Sequence, residues 1–210
     1  AEPSSDDYAR RLRWLGDADR PVYTRTADDN LTAMAAAAGE HPAETWLRVM
    51  IESNGNGGFH QPFFNMDFDA VHDLMDKDWV VPGLGDAGAH VSQIMDSGWA
   101  SFLLSHWVRD EHAIPVEQAI HRMTSRAAEV LDLNDRGELA VGKRADVNVL
   151  DLDRVEERQP TVVADFPHGK SRLIQRAAGY KATLVNGEVI LRDDEHTGNR
   201  PGRVLRSQQD

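Results

Sequence analysis

The chain has 210 residues, 40% of them hydrophobic and 28% charged, with a formal net charge of −12. That apolar fraction excludes wholesale disorder, no run approaches the roughly 18 apolar residues a membrane-crossing helix needs, and the absence of cysteine excludes a disulfide framework, a thiolate nucleophile and a Cys-type zinc site. An acidic balance argues against a phosphate backbone as the main partner, and at roughly 150 residues per domain the length allows about 1.4 domains. No basic segment leads into an apolar one as in a secretory signal. The chain opens on Ala1-Glu2-Pro3 and not on Met, so it is expected to be the tail of something longer.

In chain order, Tyr8, Leu12 and Leu15 recur at helical spacing in a polar start. A helix is expected over 31–38, with Asp29 or Asn30 as its N-cap and Gly39 as its stop. Pro42 suits a first helical turn, and Trp46, Leu47, Met50 and Ile51 give the next helix one apolar face. The stretch Ser53-Asn-Gly-Asn-Gly-Gly58 reads as a loop, 59–64 as a short strand and 67–75 as a helix. The β-branched run Trp79-Val-Val81 predicts a strand that Pro82 and the following glycines end. Helices are predicted over 100–108 and 115–131. This alternation is the rhythm of a parallel α/β sheet or barrel.

The pattern changes near Asn134. Residues 145–150 alternate as a strand, and 181–191 alternate around Asn186-Gly187, the dipeptide most typical of a two-residue hairpin. An α/β part over 1–133 and a β part over 134–210 are therefore expected. The acidic run 151–157 reads as a solvated loop.

Chemistry concentrates in Pro82-Gly-Leu-Gly-Asp-Ala-Gly-Ala-His90, at the C-terminal end of the predicted strand, where α/β folds place active sites. Gly83, Gly85 and Gly88 satisfy the dinucleotide fingerprint G-x-G-x-x-G. Two features oppose that reading. Asp86 puts a negative charge where pyrophosphate needs bare amides, and the segment 20 residues on reads as a helix end. Two alternatives remain. Asp86 is a metal ligand or general base with His90 touching substrate, or Asp86 caps a helix starting near Ala89 while His90 packs in its first turn.

Three stretches carry a resemblance: Gly83-Leu-Gly-Asp-Ala-Gly-Ala-His-Val91, Phe102-Leu-Leu-Ser-His-Trp-Val-Arg-Asp110, and Asp135-Arg-Gly-Glu-Leu-Ala-Val-Gly-Lys-Arg-Ala-Asp-Val-Asn-Val-Leu-Asp151. Together with Gly179-Tyr-Lys-Ala-Thr-Leu-Val-Asn-Gly187 and Thr197-Gly-Asn-Arg-Pro-Gly-Arg203, they resemble the C-terminal portion of amidohydrolases of the N-acyl-D-amino-acid deacylase (D-aminoacylase) branch, from about residue 28 onward. The resemblance implies the end of a metal-dependent (β/α)8 barrel over 1–133, with 79–83 as its eighth strand, and strands of a small composite β-domain over 134–210. It implies that Asp86 is at once catalytic and metal-binding, deprotonating a water activated by Zn²⁺ and returning the proton to the leaving amine. His90 is implied as substrate-binding, and the complete protein would use one or two divalent metals.

The departure from the family is the absence of any His-x-His pair in these residues. A catalytic zinc takes about three protein ligands, so most of the ligand set is expected upstream and this chain alone is expected to be inactive. The substrate implied is an N-acylated amino acid or related small amide, with no nucleic acid or membrane partner, a cytoplasmic location, and homo-oligomerisation left open. A cyclic-amide hydrolase of the hydantoinase or dihydroorotase kind and a non-catalytic split subunit are the alternatives. Of the other histidines, His106 and His121 are expected on helix faces as packing or surface positions, and the resemblance implies that His106 with Arg109 fixes the eighth helix against the barrel. His60, next to a glycine-rich loop, is read first as a structural histidine with pocket lining as the alternative, and His41, His72, His112, His168 and His196 are expected at surface or cap positions.

Overall fold

The computed structural model describes residues 5–83 and 85–205. In chain order the first elements are α1 (Ser5–Ala9), β1 (Arg13–Trp14), α2 (Leu31–Ala38), α3 (Pro42–Glu52), β2 (Phe59–His60) and α4 (Phe68–Met75). Next come α5 (Trp99–Phe102), which continues as a π-helix over Leu103–Asp110, then α6 (Val116–Met123) and α7 (Ser125–Val130). The strands β3 (Val147–Leu150), β4 (Glu156–Glu157), β5 (Thr161–Phe166), β6 (Lys170–Ile174), β7 (Ala177–Ala178), β8 (Tyr180–Val185), β9 (Glu188–Arg192) and β10 (Glu195–His196) complete the chain. Two compact units result, one of Ala1–Phe68 with Arg158–Ile174 and one of Asp69–Glu157 with Gln175–Asp210.

In the first unit local chemistry sets the helix ends. Asn30 is extended and its side-chain oxygen accepts the Ala33 N–H at 3.0 Å, freeing Leu31 and Ala35 to turn inward. His41 Nδ1 accepts the Ala43 N–H while Glu44 reaches back to the His41 N–H at 2.8 Å, a reciprocal cap with Pro42 behind it. Such caps contribute about 1 kcal/mol each. The core is Leu15, Leu31, Ala35, Thr45 and Val49. The β5–β6 hairpin, turned by Pro167-His-Gly169, attaches through Gln159, whose side-chain amide donates to the Leu15 carbonyl and whose backbone N–H donates to the Asp19 carbonyl.

In the second unit β10-β9-β8-β3 form an antiparallel sheet, and β4 pairs with β7. The turn between β8 and β9 is the Asn186-Gly187 pair, both with positive φ (51° and 83°), as a hairpin that follows the strands' right-handed twist requires. The π-helix buries Leu103 through Val108 in succession, because widening the helix brings neighbouring positions onto the packed side. Its end is marked by the Glu111 N–H bonding the His106 carbonyl five residues back. His106 stacks on Phe102 and meets Trp107 edge-on, while Arg109 donates to the Val155 carbonyl at 2.6 Å. These contacts tie the helix to the backbone entering β4.

Several expectations fail for identifiable reasons. Among the described residues every strand pair is antiparallel, and 79–83 has no ladder partner, so the strand expected there is irregular backbone. A β-branched run supplies propensity but not the neighbouring strand it must bond to. The helix expected over 115–131 breaks at Thr124 (φ −120°, ψ −90°), whose hydroxyl bonds back to the Ile120 carbonyl at 2.7 Å. The run 151–157 is solvated only in its middle. Val155 and Glu157 are fully buried, since β4 pairs with β7 and the Glu157 carboxylate accepts the Ser105 hydroxyl at 3.0 Å. The β5–β6 hairpin was not anticipated.

Candidate active-site loop

The segment containing Asp86 is an exposed turn whose backbone is gripped from one side. The Asp96 carboxylate accepts the Asp86 N–H through Oδ2 and the Ala87 N–H through Oδ1, each at 2.6 Å, short as charge-assisted bonds are. A Cβ at residue 85 would lie 2.2 Å from Asp96 Oδ2, so any side chain there would push the Asp96 carboxylate off the turn. The Ala89 N–H closes the turn on the Asp86 carbonyl at 2.9 Å, and His90, with φ 45°, starts the next turn by accepting the Gln93 N–H at 2.7 Å. No helix begins at Ala89, since the next is α5 at Trp99, so the capping alternative for Asp86 is not formed. Among the described residues the Asp86 carboxylate has no hydrogen bond or ion pair, and the residue is exposed to solvent.

Asp96 is in turn tied to the interior of its unit. Its carbonyl accepts the Trp99 N–H at the start of α5. The Gly98 N–H donates to Gln175 Oε1 at 3.1 Å, and the Ser101 and Tyr180 hydroxyls bond at 3.0 Å. Burial pushes the Tyr180 hydroxyl above its ordinary pKa, so at neutral pH it is a neutral partner for Ser101.

Asp86 and His90 therefore share one turn, both exposed, without a hydrogen bond between them among the described residues. His60 belongs to the other unit. It pairs with Arg13 across β1–β2, meets the Tyr23 ring edge-on at 5.6 Å and keeps a buried Nε2 without a hydrogen-bond partner. Burial, reinforced by the charges of Arg13 and Arg25, lowers its pKa to about 4. His121 bonds the Ser125 hydroxyl at 2.8 Å on an exposed helix face, and His41 and His196 are caps. The residue that sequence reasoning missed is Asp96. Its signal was an acid followed by Ser97-Gly98 before an apolar helix, an arrangement that reads equally well as an ordinary helix entry.

Among the described residues no group of three or more His, Cys, Asp or Glu is placed to hold a metal ion. The donor chemistry of Asp86 suits one ligand, an exposed oxygen donor without a competing partner. Both oxygens of Asp96 accept backbone amides, so its carboxylate is engaged in holding the turn. No helix among the described residues is long and apolar enough to cross a membrane.

The model of the Amidohydrolase family matches residues 6–191, and the chain belongs to that family. Its relatives include an N-acyl-D-glutamate deacylase of Alcaligenes xylosoxydans xylosoxydans, 39% identical over 110 residues that make up 51% of this chain and 20% of that protein. A D-aminoacylase of the same organism is 36% identical over 112 residues, 51% of this chain and 21% of the other. Among solved structures, the N-acyl-D-glutamate deacylase of Bordetella bronchiseptica, complexed with zinc and a phosphonate inhibitor, matches at a TM-score of 0.51 and 24% identity over 93% of this chain and 37% of that one. The fold is thus of the TIM-barrel-containing amidohydrolase kind, with α/β content. The chain spans about a fifth of the length of the curated relatives it matches.

Proposed function

We propose that this chain is the C-terminal part of a metal-dependent hydrolase of non-peptide C–N amide bonds that deacylates N-acyl-D-amino acids. Residues 1–133 would supply the last βα units of the barrel and 134–210 its share of the β-domain. The observation that carries the proposal is Asp86, an aspartate with unspent carboxylate oxygens on a backbone-braced glycine turn, in a chain of the amidohydrolase family. The identity to two deacylases of N-acyl-D-amino acids supports the substrate class.

A zinc ion at such a site supplies Lewis-acid polarisation of the amide carbonyl and an acidified water. Asp86 is the ligand this chain offers. The others are proposed to come from the part of the full-length protein that these residues do not span. Asp86 accepts the proton of the attacking water and hands it to the departing amine nitrogen, so one carboxylate serves as base and then as acid. His90, exposed four residues on, is proposed to contact the substrate.

The test is release of free amine by the full-length protein from N-acyl-D- and N-acyl-L-amino acids, with and without a chelator. The proposal expects turnover of the D series, its loss on chelation and its recovery with Zn²⁺. Hydrolysis of cyclic amides with none of N-acyl-D-amino acids would redirect the substrate class, and activity indifferent to the chelator would overturn the metal-dependent reading.

A further inference from the structure

We propose that Asp96 is the positioning residue for Asp86, a role that rests on the function proposed above but is carried by separate observations. A catalytic carboxylate on an exposed glycine turn faces a difficulty. Glycines permit many backbone conformations, and a shift of about 1 Å in a reacting group can cost on the order of a hundredfold in rate. Here the difficulty is met by a second carboxylate that binds the backbone of the turn. Asp96 reaches back ten residues and accepts the N–H groups of Asp86 and Ala87 together, one on each oxygen, at 2.6 Å. Two bonds from one rigid planar group fix the orientation of consecutive peptide units, whereas a single bond would leave a hinge. The orientation of those peptides sets the direction in which the Asp86 Cα–Cβ bond leaves the backbone.

The fit is close enough to prescribe sequence elsewhere. Residue 85 has no room for a Cβ, which would fall 2.2 Å from Asp96 Oδ2 and 2.4 Å from Cγ. The brace also leads somewhere firm: Asp96 runs into α5, and α5 is fastened by Ser101 to Tyr180 of β8 and by Gly98 to Gln175. Motion of the loop is thereby referred to the sheet and not to solvent. The two carboxylates of the loop thus do different work: Asp96 holds backbone through both oxygens, while the oxygens of Asp86 have no partner among the described residues.

The test uses the full-length protein loaded with Zn²⁺ and the substitution Asp96→Asn, which preserves size but presents an NH2 group to one of the two amides. Hydrogen–deuterium exchange of the peptide covering 85–89 is expected to accelerate at least tenfold, with exchange in α6 unchanged. On N-acyl-D-amino acids kcat is expected to fall about tenfold to a hundredfold with KM within about twofold. Unaltered exchange at 85–89 would overturn the brace, and faster exchange with unaltered kcat would overturn its positioning role. Gly85→Ala, which displaces Asp96 without changing its chemistry, is expected to reproduce both effects, and a wild-type exchange rate and kcat in that variant would also contradict the proposal. The reading of function is tested apart from this by Asp86→Asn. If that variant keeps full activity the function fails, while the exchange result for Asp96→Asn still decides whether the brace exists.

Discussion

Around Asp135 and Asp146, in the second unit, each carboxylate is committed to a partner. Asp135 accepts from Arg136 and from Arg144, both at 3.0 Å, and Asp146 accepts from Arg136 and from the Asn186 N–H. The Arg136 bond first, and the Arg144 bond next, hold the Asp135 carboxyl below its ordinary value. Around Asp86, in the same unit, the arrangement is reversed. The backbone is held by another residue's carboxylate and the side-chain oxygens have no partner among the described residues. Both segments are acidic, contain glycine and lie in turns. What separates a carboxylate that joins two strands from one available for chemistry is whether its oxygens or its amide are used. Glu157 is the extreme of the first kind, fully buried on the Ser105 hydroxyl.

This contrast can be broken from several sides. The largest stability effect is expected at Glu157. Its truncation to Ala leaves a void and strips Ser105 of an acceptor, at a cost of about 3 kcal/mol in chemical denaturation. A loss well under 1 kcal/mol would mean the buried carboxylate is not a structural tie. Next is the hairpin that presents Asn186 to Asp146. Gly187→Ala forces a side chain into φ 83° and is expected to cost about 1–2 kcal/mol in the same assay, without altering exchange at 85–89. A smaller, pH-dependent effect belongs to His60. Its pKa is about 4 in the fold against 6.5 when free, so the unfolded chain binds the extra proton first. Its contribution is fully present above pH 6.5 and is lost as pH falls toward 4, by at most about tenfold in the folding constant per pH unit. Comparing the pH dependence of unfolding of the native protein with that of His60→Gln measures it, and identical slopes between pH 6.5 and 4 would refute it.

Much of the helical layout was legible because short-range rules decide it. Asn30, Pro42 and Gly39 bound helices whatever lies around them, and Asn186-Gly187 turns a hairpin with few alternatives. What was not legible depends on partners distant in sequence. The run at 79–81 has strand propensity without a strand to pair with, Thr124 splits a helix through its own hydroxyl, and Glu157 is buried because β7 and Ser105 come to it. The candidate loop divides in the same way. Asp86 stood out because an acid inside a glycine turn conflicts with phosphate binding, whereas Asp96 acts through an approach to the backbone that no local pattern encodes.

The most direct test of the central claim compares Asp86→Asn with Asp135→Asn in the full-length protein, assayed side by side for amine release from an N-acyl-D-amino acid with saturating Zn²⁺. The account predicts that kcat falls by at least a hundredfold in the first, as for loss of a general acid–base group, with its melting temperature unchanged. The second is predicted to lower the melting temperature slightly with kcat intact. Near-native turnover by Asp86→Asn, or equal losses of activity in both variants, would contradict it.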